Sequence, residues 1–289
     1  MASSEHRVVV GLGATGLSCA RFLQQRGLPF SVVDTRSEPP GLAQIAREMP
    51  NVEVFAGECP PQLITSAAEL IVSPGVAMNS PVVIDALEAG VPVVGDIDLF
   101  MREASAPVIG ITGSNAKSTV TELVGQMARD ARLNVGVGGN LGTPALDLLA
   151  AGRELYVLEL SSFQLERAQQ LGLEVATVLN ISVDHLDRHG TLQGYQLAKH
   201  RIFQLCRKAV VNLDDPLTIP LLDAAVDVIS WRMGEPEPRG FGLCRQGAVE
   251  YLCHGAEVLL GVGELSLAGR HNVANALAAL ALGHCAGLP

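Results

Sequence analysis

Several features that mark other classes of protein are missing from this sequence. Basic residues are in the minority, with 20 Lys and Arg against 30 Asp and Glu, and the net charge is −10. Because sequence-independent binding to nucleic acid or to an anionic membrane needs a positive field, the composition argues against both partners. No apolar run approaches the roughly 18 to 20 residues that are needed to span a bilayer. We therefore expect no nucleic-acid partner and no membrane segment.

The cysteines and the amino-terminal residues also lack recognisable motifs. The six cysteines include no Cys-x-x-Cys pair and do not cluster with histidines, so we expect reduced thiols, most of them buried as small apolar groups. Residues 1–6 lack the basic and apolar regions of a secretory signal peptide. These absences predict a cytoplasmic protein. The cysteines are Cys19, Cys59, Cys206, Cys244, Cys253 and Cys285.

Apolar strands alternate with helical segments along most of the 289 residues, a pattern typical of a parallel sheet covered on both faces. We predict an α/β protein in which a Rossmann-like amino-terminal domain, residues 1–95, precedes a P-loop NTPase-like central domain with a mainly parallel sheet, residues 96–289. Within the second domain, short strands and hairpins are expected over 241–267 and an apolar helix over 269–286. The predicted strands are 7–10, 30–33, 70–73, 91–94, 108–109, 135–137, 155–158, 175–179, 209–211 and 226–230.

Residues 110–119 form the most informative stretch, a phosphate loop that reads Gly-Ile-Thr-Gly-Ser-Asn-Ala-Lys-Ser-Thr. Backbone N–H groups at a helix N-terminus suit phosphate oxygens, while Lys117 supplies a cation and Ser118 a hydroxyl for Mg²⁺. The stretch therefore predicts binding of a nucleoside triphosphate. It departs from the usual pattern, because Ile111 and Ala116 stand where that pattern has glycine. We expect a negative φ at Ala116, since a left-handed backbone strains a residue with a Cβ.

A second glycine-rich turn lies near the amino terminus. Gly11, Gly13 and Gly16 follow a predicted strand and open a helix, and Asp34 ends the next strand, so the dinucleotide-binding fingerprint stands in its correct context. Alone this fingerprint indicates NAD. A nucleotide diphosphate sugar also has a pyrophosphate, and Asp34 suits a ribose or sugar hydroxyl equally well. The turn predicts a diphosphate ligand and leaves its identity open, beside the simpler reading that the glycines only allow close packing.

Polar residues stand at the ends of further predicted strands. Glu159 closes one apolar strand, where its carboxylate is suited to hold Mg²⁺ beside the phosphate loop. Asp184, His185 and Asp187 follow another strand, and Asn140 lies in a glycine-rich turn suited to contact a phosphate or an acceptor group. Because open α/β sheets bind ligands at the carboxyl ends of their strands, we expect the phosphate loop, Glu159 and His185 to share one edge.

In combination these motifs resemble the Mur ligase family, and the likeness covers essentially the whole chain. Residues 34–36, 73–75 and 95–100 are most similar to the branch of the family that acts on UDP-N-acetylmuramoyl-L-alanine. The segments that carry the resemblance, in the family's order, are 112–119, 138–145, 159–165, 184–187, 198–202 and 269–276.

The resemblance implies an ATP-dependent amide ligase that adds D-glutamate to UDP-N-acetylmuramoyl-L-alanine through an acyl phosphate in peptidoglycan precursor synthesis. The implied catalytic residues are Lys117, Glu159, His185 and Lys199, and the implied ligands of two Mg²⁺ ions are Ser118, Glu159, His185 and Lys199. The implied ATP contacts are Gly113, Ser114, Asn115, Ala116, Lys117, Ser118 and Thr119, with Asn272 and Asn275 around the adenine. The implied contacts to the UDP-linked or acceptor substrate are Thr15, Asp34, Thr35, Arg36, Ser73, Pro74, Gly75, Asn140 and Gln164.

Two further expectations come from the same resemblance. An ammonium group beside Mg²⁺ is repelled, but the matching lysine of the family is carbamylated by CO₂, so we expect a carbamylated lysine at Lys199. Family members continue into a third domain that binds D-glutamate, and nothing follows Pro289 here. We therefore expect a chain that retains affinity for the UDP-linked substrate, binds nucleotide weakly and ligates little. We also expect a monomer.

Two other functions remain open from the residues alone. One is an NAD-dependent oxidoreductase, which uses the first glycine-rich turn and Asp34 but leaves the phosphate loop without a role. The other is a non-catalytic module that binds a nucleotide sugar. Folylpolyglutamate synthetase shares the overall plan, but it matches residues 159–165 and the amino-terminal diphosphate site poorly.

Overall fold

The computed structural model describes residues 5–266 and 268–289, which form two compact units. Unit 1 contains the described residues up to Glu103 with Pro144–Leu149 and Glu166–Gln169, and unit 2 contains the remainder. The domain limits drawn from the sequence stay a prediction. Two predictions concern residues outside the described ranges. One is the absence of a signal peptide, as far as it rests on residues 1–4, and the other is the end of the predicted hairpins at Leu267.

Unit 1 is built from alternating strands and helices around one buried sheet. Apolar strand residues such as Val8, Val9 and Val32 are fully buried, because helices cover both faces of the sheet. The sequence pattern missed the short strand β3, which has only three residues. The elements are β1 (Arg7–Val10), α1 (Ala14–Gln25), β2 (Phe30–Asp34), α2 (Leu42–Glu48), β3 (Val54–Ala56), α3 (Pro61–Thr65), β4 (Glu69–Val72), α4 (Pro81–Glu88), β5 (Val93–Val94) and α5 (Asp96–Glu103).

The sheet of unit 1 has the strand order β3-β2-β1-β4-β5, and every neighbouring pair is parallel. The sheet is extended from β1 on one side by β2 and β3 and on the other side by β4 and β5, so the strand order reverses between β1 and β4. Folds of this kind have a crevice outside the carboxyl ends of those two strands. The register pairs Val10 with both Val33 and Val72, so the segments that follow β1, β2 and β4 emerge side by side. The Rossmann-like fold predicted for this part of the chain is confirmed.

Unit 2 contains a larger sheet and the longest helices. None of the helices in the described ranges combines the length and the apolar character needed to cross a membrane. The elements are β6 (Val108–Thr112), α6 (Lys117–Asp130), β7 (Val135–Gly139), β8 (Leu155–Glu159), α7 (Ser162–Arg167), β9 (Val175–Val178), α8 (Leu186–His189), α9 (Leu192–His200), β10 (Lys208–Asn212), β11 (Asp227–Trp231), β12 (Phe241–Gln246), β13 (Val249–His254), β14 (Glu257–Gly261) and α10 (Arg270–Cys285). The last two residues of α7 belong to unit 1.

The nine strands of unit 2 follow the order β14-β13-β12-β11-β10-β9-β6-β8-β7. The pairs from β7 to β12 are parallel, and β12, β13 and β14 form an antiparallel meander, which confirms the predicted mainly parallel sheet and its terminal hairpins. The central strand β6 is buried between β8 and β9, so the loops after these three strands meet at one edge.

The meander corrects one expectation about the cysteines. Cys244 on β12 and Cys253 on β13 form a disulfide, so the prediction of reduced thiols is wrong for this pair. The antiparallel register sets Gly242 opposite Cys253 and Cys244 opposite Tyr251, which makes the two cysteines diagonal neighbours. Their sequence spacing of nine residues carries no recognised signal for this contact. The other four cysteines are free, and three of them are buried.

Candidate functional site

A cavity of about 600 Å³ lies in unit 1, outside the carboxyl ends of its strands. Seven residues assigned to the UDP-linked substrate line it, although nothing in the structure tests that role. The sequence reasoning did not anticipate the neighbouring wall residues Cys59, Val76, Ala77 and Ser80. The seven assigned residues in the wall are Thr15, Asp34, Thr35, Arg36, Ser73, Pro74 and Gly75.

The glycine-rich turn shapes the floor of this cavity. A Cβ atom on Gly16 would overlap the carbonyl oxygen of Gly11, so the turn is closed too tightly for any other residue at position 16. The hydroxyl of Ser73 donates a hydrogen bond of 2.8 Å to the same carbonyl, which ties the turn to the end of β4. The turn leads directly into α1, whose N-terminal residues Ala14 and Thr15 face the cavity and are suited to an anion.

Asp34 organises the wall of the cavity. Its carboxylate accepts hydrogen bonds from the Leu12 amide at 2.7 Å and from Arg36, whose guanidinium binds both carboxylate oxygens at 2.7 and 2.9 Å. Burial raises the pKa of Asp34, but the hydrogen bonds from Arg36 and Leu12 outweigh burial and hold that pKa at about 2. The carboxylate is therefore charged at neutral pH and fixes the half-exposed Arg36 at the rim.

The phosphate loop of unit 2 contradicts one prediction. Ala116 has φ 67° and ψ 0°, a left-handed conformation, so the expected negative φ is wrong. The loop is closed by contacts with the chain after β9: the amide of Ser114 donates to Asn180 O at 2.9 Å and the amide of Asn115 to Asn180 Oδ1 at 2.8 Å. This closure forces a sharp turn just before Lys117, at the position where the usual pattern has glycine.

Two lysines point at the same part of the loop. Lys117 Nζ donates to the carbonyls of Gly113 at 2.9 Å and Ser114 at 3.1 Å, so the ammonium group is held across the loop. Lys199 Nζ donates to the same Gly113 oxygen at 2.8 Å and lies 4.5 Å from the ring centre of Tyr195. The site therefore concentrates positive charge where phosphate oxygens are expected.

Lys199 differs from Lys117 in its surroundings, because its side chain is almost fully buried. The pKa of Lys199 is lowered to about 7, mainly by burial and also by the nearby charge of Lys117, while Asp184 and Glu159 act in the opposite direction. A substantial fraction of this amine is therefore uncharged at neutral pH, the form that reacts as a nucleophile.

Glu159 connects the phosphate loop with the glycine-rich turn after β7. One carboxylate oxygen accepts the Ser118 hydroxyl at 2.7 Å and the other accepts the Asn140 amide at 2.9 Å. A hydroxyl and a carboxylate in contact are hard oxygen ligands of the kind that Mg²⁺ prefers, and Mg²⁺ usually takes only one or two protein carboxylates beside phosphate oxygens and water. Ser118 and Glu159 therefore fit a magnesium ion delivered with a nucleotide.

His185 contacts Asp184 and Phe163. Its Nε2 is 3.4 Å from Asp184 Oδ2, and its ring lies 4.9 Å from that of Phe163. Within residues 5–266 and 268–289, no three His, Cys, Asp or Glu side chains are grouped so that they hold a metal by themselves. The predicted magnesium ligands do not conflict with this absence, because only two of them, Glu159 and His185, are His, Cys, Asp or Glu. The other two are Ser118 and Lys199. The metal role of all four stays a prediction.

The remaining predicted residues occupy two places. Gln164 is buried, and its side-chain carbonyl oxygen accepts hydrogen bonds from the amide and hydroxyl of Ser161. Asn272 and Asn275 lie in the first turns of α10, where they hydrogen-bond to each other at 3.3 Å. Their roles toward acceptor and adenine stay predictions. Sequence reasoning missed Tyr195, whose hydroxyl meets the Ser114 hydroxyl at 3.3 Å.

Comparison with known proteins assigns the chain to a family. A model described as the Mur ligase middle domain matches residues 111–283, more than half of the chain. The chain belongs to the Mur ligase family. A second model, described as the amino-terminal domain of MurD-like Mur ligases, matches residues 5–95. Both sites described above lie on segments that these two family models cover.

Relatives and solved structures of Mur ligases agree with this assignment. The chain is 55% identical over 289 residues to the UDP-N-acetylmuramoylalanine–D-glutamate ligase of Pseudomonas aeruginosa, and 49% identical over 288 residues to that of Hahella chejuensis. It covers 64% of the length of each of these relatives.

Among solved structures, the UDP-N-acetylmuramate:L-alanyl-gamma-D-glutamyl-meso-diaminopimelate ligase of Neisseria meningitides superposes with a TM-score of 0.66, at 20% identity over 98% of this chain and 94% of that one. The UDP-N-acetylmuramate-alanine ligase of Thermotoga maritima gives 0.58, at 20% identity over 98% and 65%. At this identity the two structures support the fold alone.

Proposed function

We propose that this chain carries the UDP-substrate-binding and ATP-binding parts of a ligase that adds D-glutamate to UDP-N-acetylmuramoyl-L-alanine. The observation that carries the proposal is the contact of Ser118 with Glu159 beside the phosphate loop, in a chain whose curated relatives are D-glutamate ligases. In an NAD-dependent oxidoreductase, the phosphate loop and the contact of Ser118 with Glu159 would have no role. The glycine-rich turn of unit 1 then serves the pyrophosphate of a UDP-linked substrate rather than that of NAD.

The proposed reaction has two steps. The terminal L-alanine carboxylate attacks the γ-phosphorus of ATP, which gives an acyl phosphate and releases ADP. The amine of D-glutamate then attacks the acyl carbon and the new C–N bond forms; the nitrogen loses a proton to solvent, and phosphate leaves with the electrons of the broken C–O bond. Both steps depend mainly on alignment and on neutralisation of charge, so fixed cations and amides are the groups the protein must supply.

The chain's own residues meet these needs as follows. Lys117 exchanges its bonds to the loop carbonyls for bonds to phosphate oxygens, and the amides at the start of α6 donate to the same group. Ser118 and Glu159 would hold Mg²⁺, which would neutralise phosphate charge. Asn140 keeps the Glu159 carboxylate in place, since it occupies one of the two carboxylate oxygens.

Lys199 is the proposed site of carbamylation. Its neutral amine attacks CO₂ and loses a proton, which leaves a carbamate anion in place of a buried cation. The low pKa of Lys199 favours this reaction, because only the unprotonated amine is a nucleophile.

The sequence contains three lysines, Lys117, Lys199 and Lys208, so a carbamate is easy to assign. NMR in ¹³C-bicarbonate should give a carbamate signal that Lys199→Met removes and Lys208→Met keeps; a free amine in an active preparation contradicts the proposal.

A thermal-shift panel tests the proposed function as a whole. UDP-N-acetylmuramoyl-L-alanine and Mg·ATP should each raise the melting temperature, because a ligand at about 100 times its Kd stabilises by about 2.7 kcal/mol. NADH should have no effect. Stabilisation by NADH alone favours the oxidoreductase, and a response to the UDP compound without any response to Mg·ATP favours a non-catalytic binding module. Either result contradicts the proposal.

A further inference from the structure

Arg167 is a buried arginine with no role in the reaction described above. It ends α7, belongs to unit 1, and exposes only 3% of its surface. Its guanidinium group donates to the carbonyls of Val72 at 3.3 Å, Val76 at 2.8 Å and Pro74 at 3.5 Å. A single side chain thus contacts three alternate carbonyls of one short segment.

That segment forms part of the cavity of unit 1. Residues 73–77, named the pocket loop here, all line the cavity and include the predicted substrate contacts Ser73, Pro74 and Gly75. Arg167 is not among the described residues of the cavity wall, so it acts on the loop rather than on a ligand. Within the loop, the Val76 amide donates to Ser73 O at 3.0 Å. The bonds from Arg167 add to this local turn and to the tie between Ser73 and Gly11.

The backbone that carries Arg167 is itself fixed to unit 1. The amide of Gln169 donates to Asp98 Oδ1 at 2.7 Å, and the Gln169 side chain donates to Val93 O at 3.1 Å. The arginine stem packs under Gly95, where an added Cβ would lie 3.0 Å from its Cγ and Cδ atoms. Arg167 is therefore fixed by its neighbouring backbone and along its stem, and its guanidinium group presents its donors to the pocket loop.

The chemistry of this contact favours arginine over other residues. A planar guanidinium has five N–H donors in fixed directions, so it can serve several carbonyls at once, whereas an ammonium is a compact point charge on a flexible stem. Hydrogen bonds from a charged donor are about twice as strong as neutral ones, and a buried carbonyl that loses its donor is costly.

We propose that Arg167 is a positioning residue for substrate: it fixes the pocket loop in the conformation that binds the uridine diphosphate part of the substrate. The inference rests on the proposed function, because it takes the cavity to be the UDP site. Without this guanidinium the loop moves among several conformations, and only a fraction of the molecules presents the binding form. The apparent affinity for UDP falls by that fraction, and the affinity for Mg·ATP in unit 2 is unchanged.

The test compares three variants of the full chain by calorimetric titration with UDP and, separately, with Mg·ATP. Arg167→Met removes the donors and should weaken UDP binding by about tenfold or more, while Arg167→Lys should restore part of the loss. Arg102→Met is the matched control, since Arg102 also lies in unit 1 but bonds to Glu69 at the surface. It should bind UDP like the parent chain. Hydrogen exchange at residues 73–77 should be faster in Arg167→Met only.

The outcomes separate the inference from the function it rests on. If the parent chain binds UDP and Arg167→Met binds it equally well, the inference is wrong and the proposed function stands. If the parent chain binds no UDP, the proposed function fails and the inference fails with it. If Arg167→Met and Arg167→Lys lose UDP and Mg·ATP together, the arginine supports folding in general and the positioning role is refuted.

Discussion

The left-handed backbone conformation of Ala116 should lower the free energy of unfolding of unit 2. An L-residue in this conformation costs about 1–2 kcal/mol, and replacement by glycine removes that cost. Glycine in turn loses about 0.5–1 kcal/mol more conformational entropy on folding than alanine. The difference leaves Ala116→Gly more stable than the parent by up to about 1.5 kcal/mol, although it removes a methyl group. For a domain of this size that corresponds to a rise in melting temperature of about 2–4 °C per kcal/mol.

The assay uses the single tryptophan of the sequence, Trp231, which is buried on β11 and reports on unit 2. Urea unfolding followed by its fluorescence gives the change in the free energy of unfolding. Ala131→Gly is the matched control, because Ala131 caps the other end of α6 with φ −72°. It should lose about 0.5–1 kcal/mol, since glycine gains nothing there. Equal destabilisation by both substitutions would refute a left-handed backbone at Ala116.

Three further predictions concern single side chains. Asp34→Asn should reduce the stability of unit 1 by about 1–2 kcal/mol at pH 7, because the folded pKa of Asp34 is about 2 against an ordinary 3.8. The stabilisation exists above the unfolded pKa and is lost as the pH falls through 3.8 toward 2, so circular dichroism melts of parent and variant should converge there; a constant gap contradicts the assignment. Ser73→Ala should cost about 1 kcal/mol through loss of the bond to Gly11, whereas Ser66→Ala at an exposed helix end should cost less; equal melts would argue against the tie. Glu159→Gln should weaken Mg·ATP binding by about tenfold to a hundredfold in calorimetry. The control Glu174→Gln should not, because Glu174 stands just before the amino end of β9 and pairs with Lys208; unchanged affinity in Glu159→Gln removes this carboxylate from the magnesium site.

The sequence predicted those features that local patterns control. The alternation of apolar strands with helical segments indicated parallel sheets. The phosphate loop and Glu159 were expected at neighbouring strand ends, because open α/β sheets bind ligands at the carboxyl edge of their strands. In the structure the Ser118 hydroxyl donates to Glu159 at 2.7 Å, and the metal role of the two residues stays a prediction. The function proposed from the same residues stays a proposal, as do the cytoplasmic location and the monomeric state.

What the sequence did not predict depends on contacts between distant segments. The conformation of Ala116 follows from bonds of Ser114 and Asn115 to Asn180, which lies 65 residues beyond Asn115. Arg167 meets carbonyls 91 to 95 residues away, so its place beside the cavity has no local signal. The pairing of Cys244 with Cys253 follows from the register of an antiparallel pair, which spacing alone does not give.

In the proposed function, unit 1 binds the UDP-linked substrate through its cavity and unit 2 binds Mg·ATP through its phosphate loop. Calorimetric titration of both ligands into Lys117→Ala and Arg36→Ala examines the two sites separately. We expect Lys117→Ala to lose Mg·ATP and to keep UDP-N-acetylmuramoyl-L-alanine, and Arg36→Ala to lose the UDP compound and to keep Mg·ATP. Loss of both ligands in either variant, or retention of Mg·ATP affinity without Lys117, would contradict this expectation.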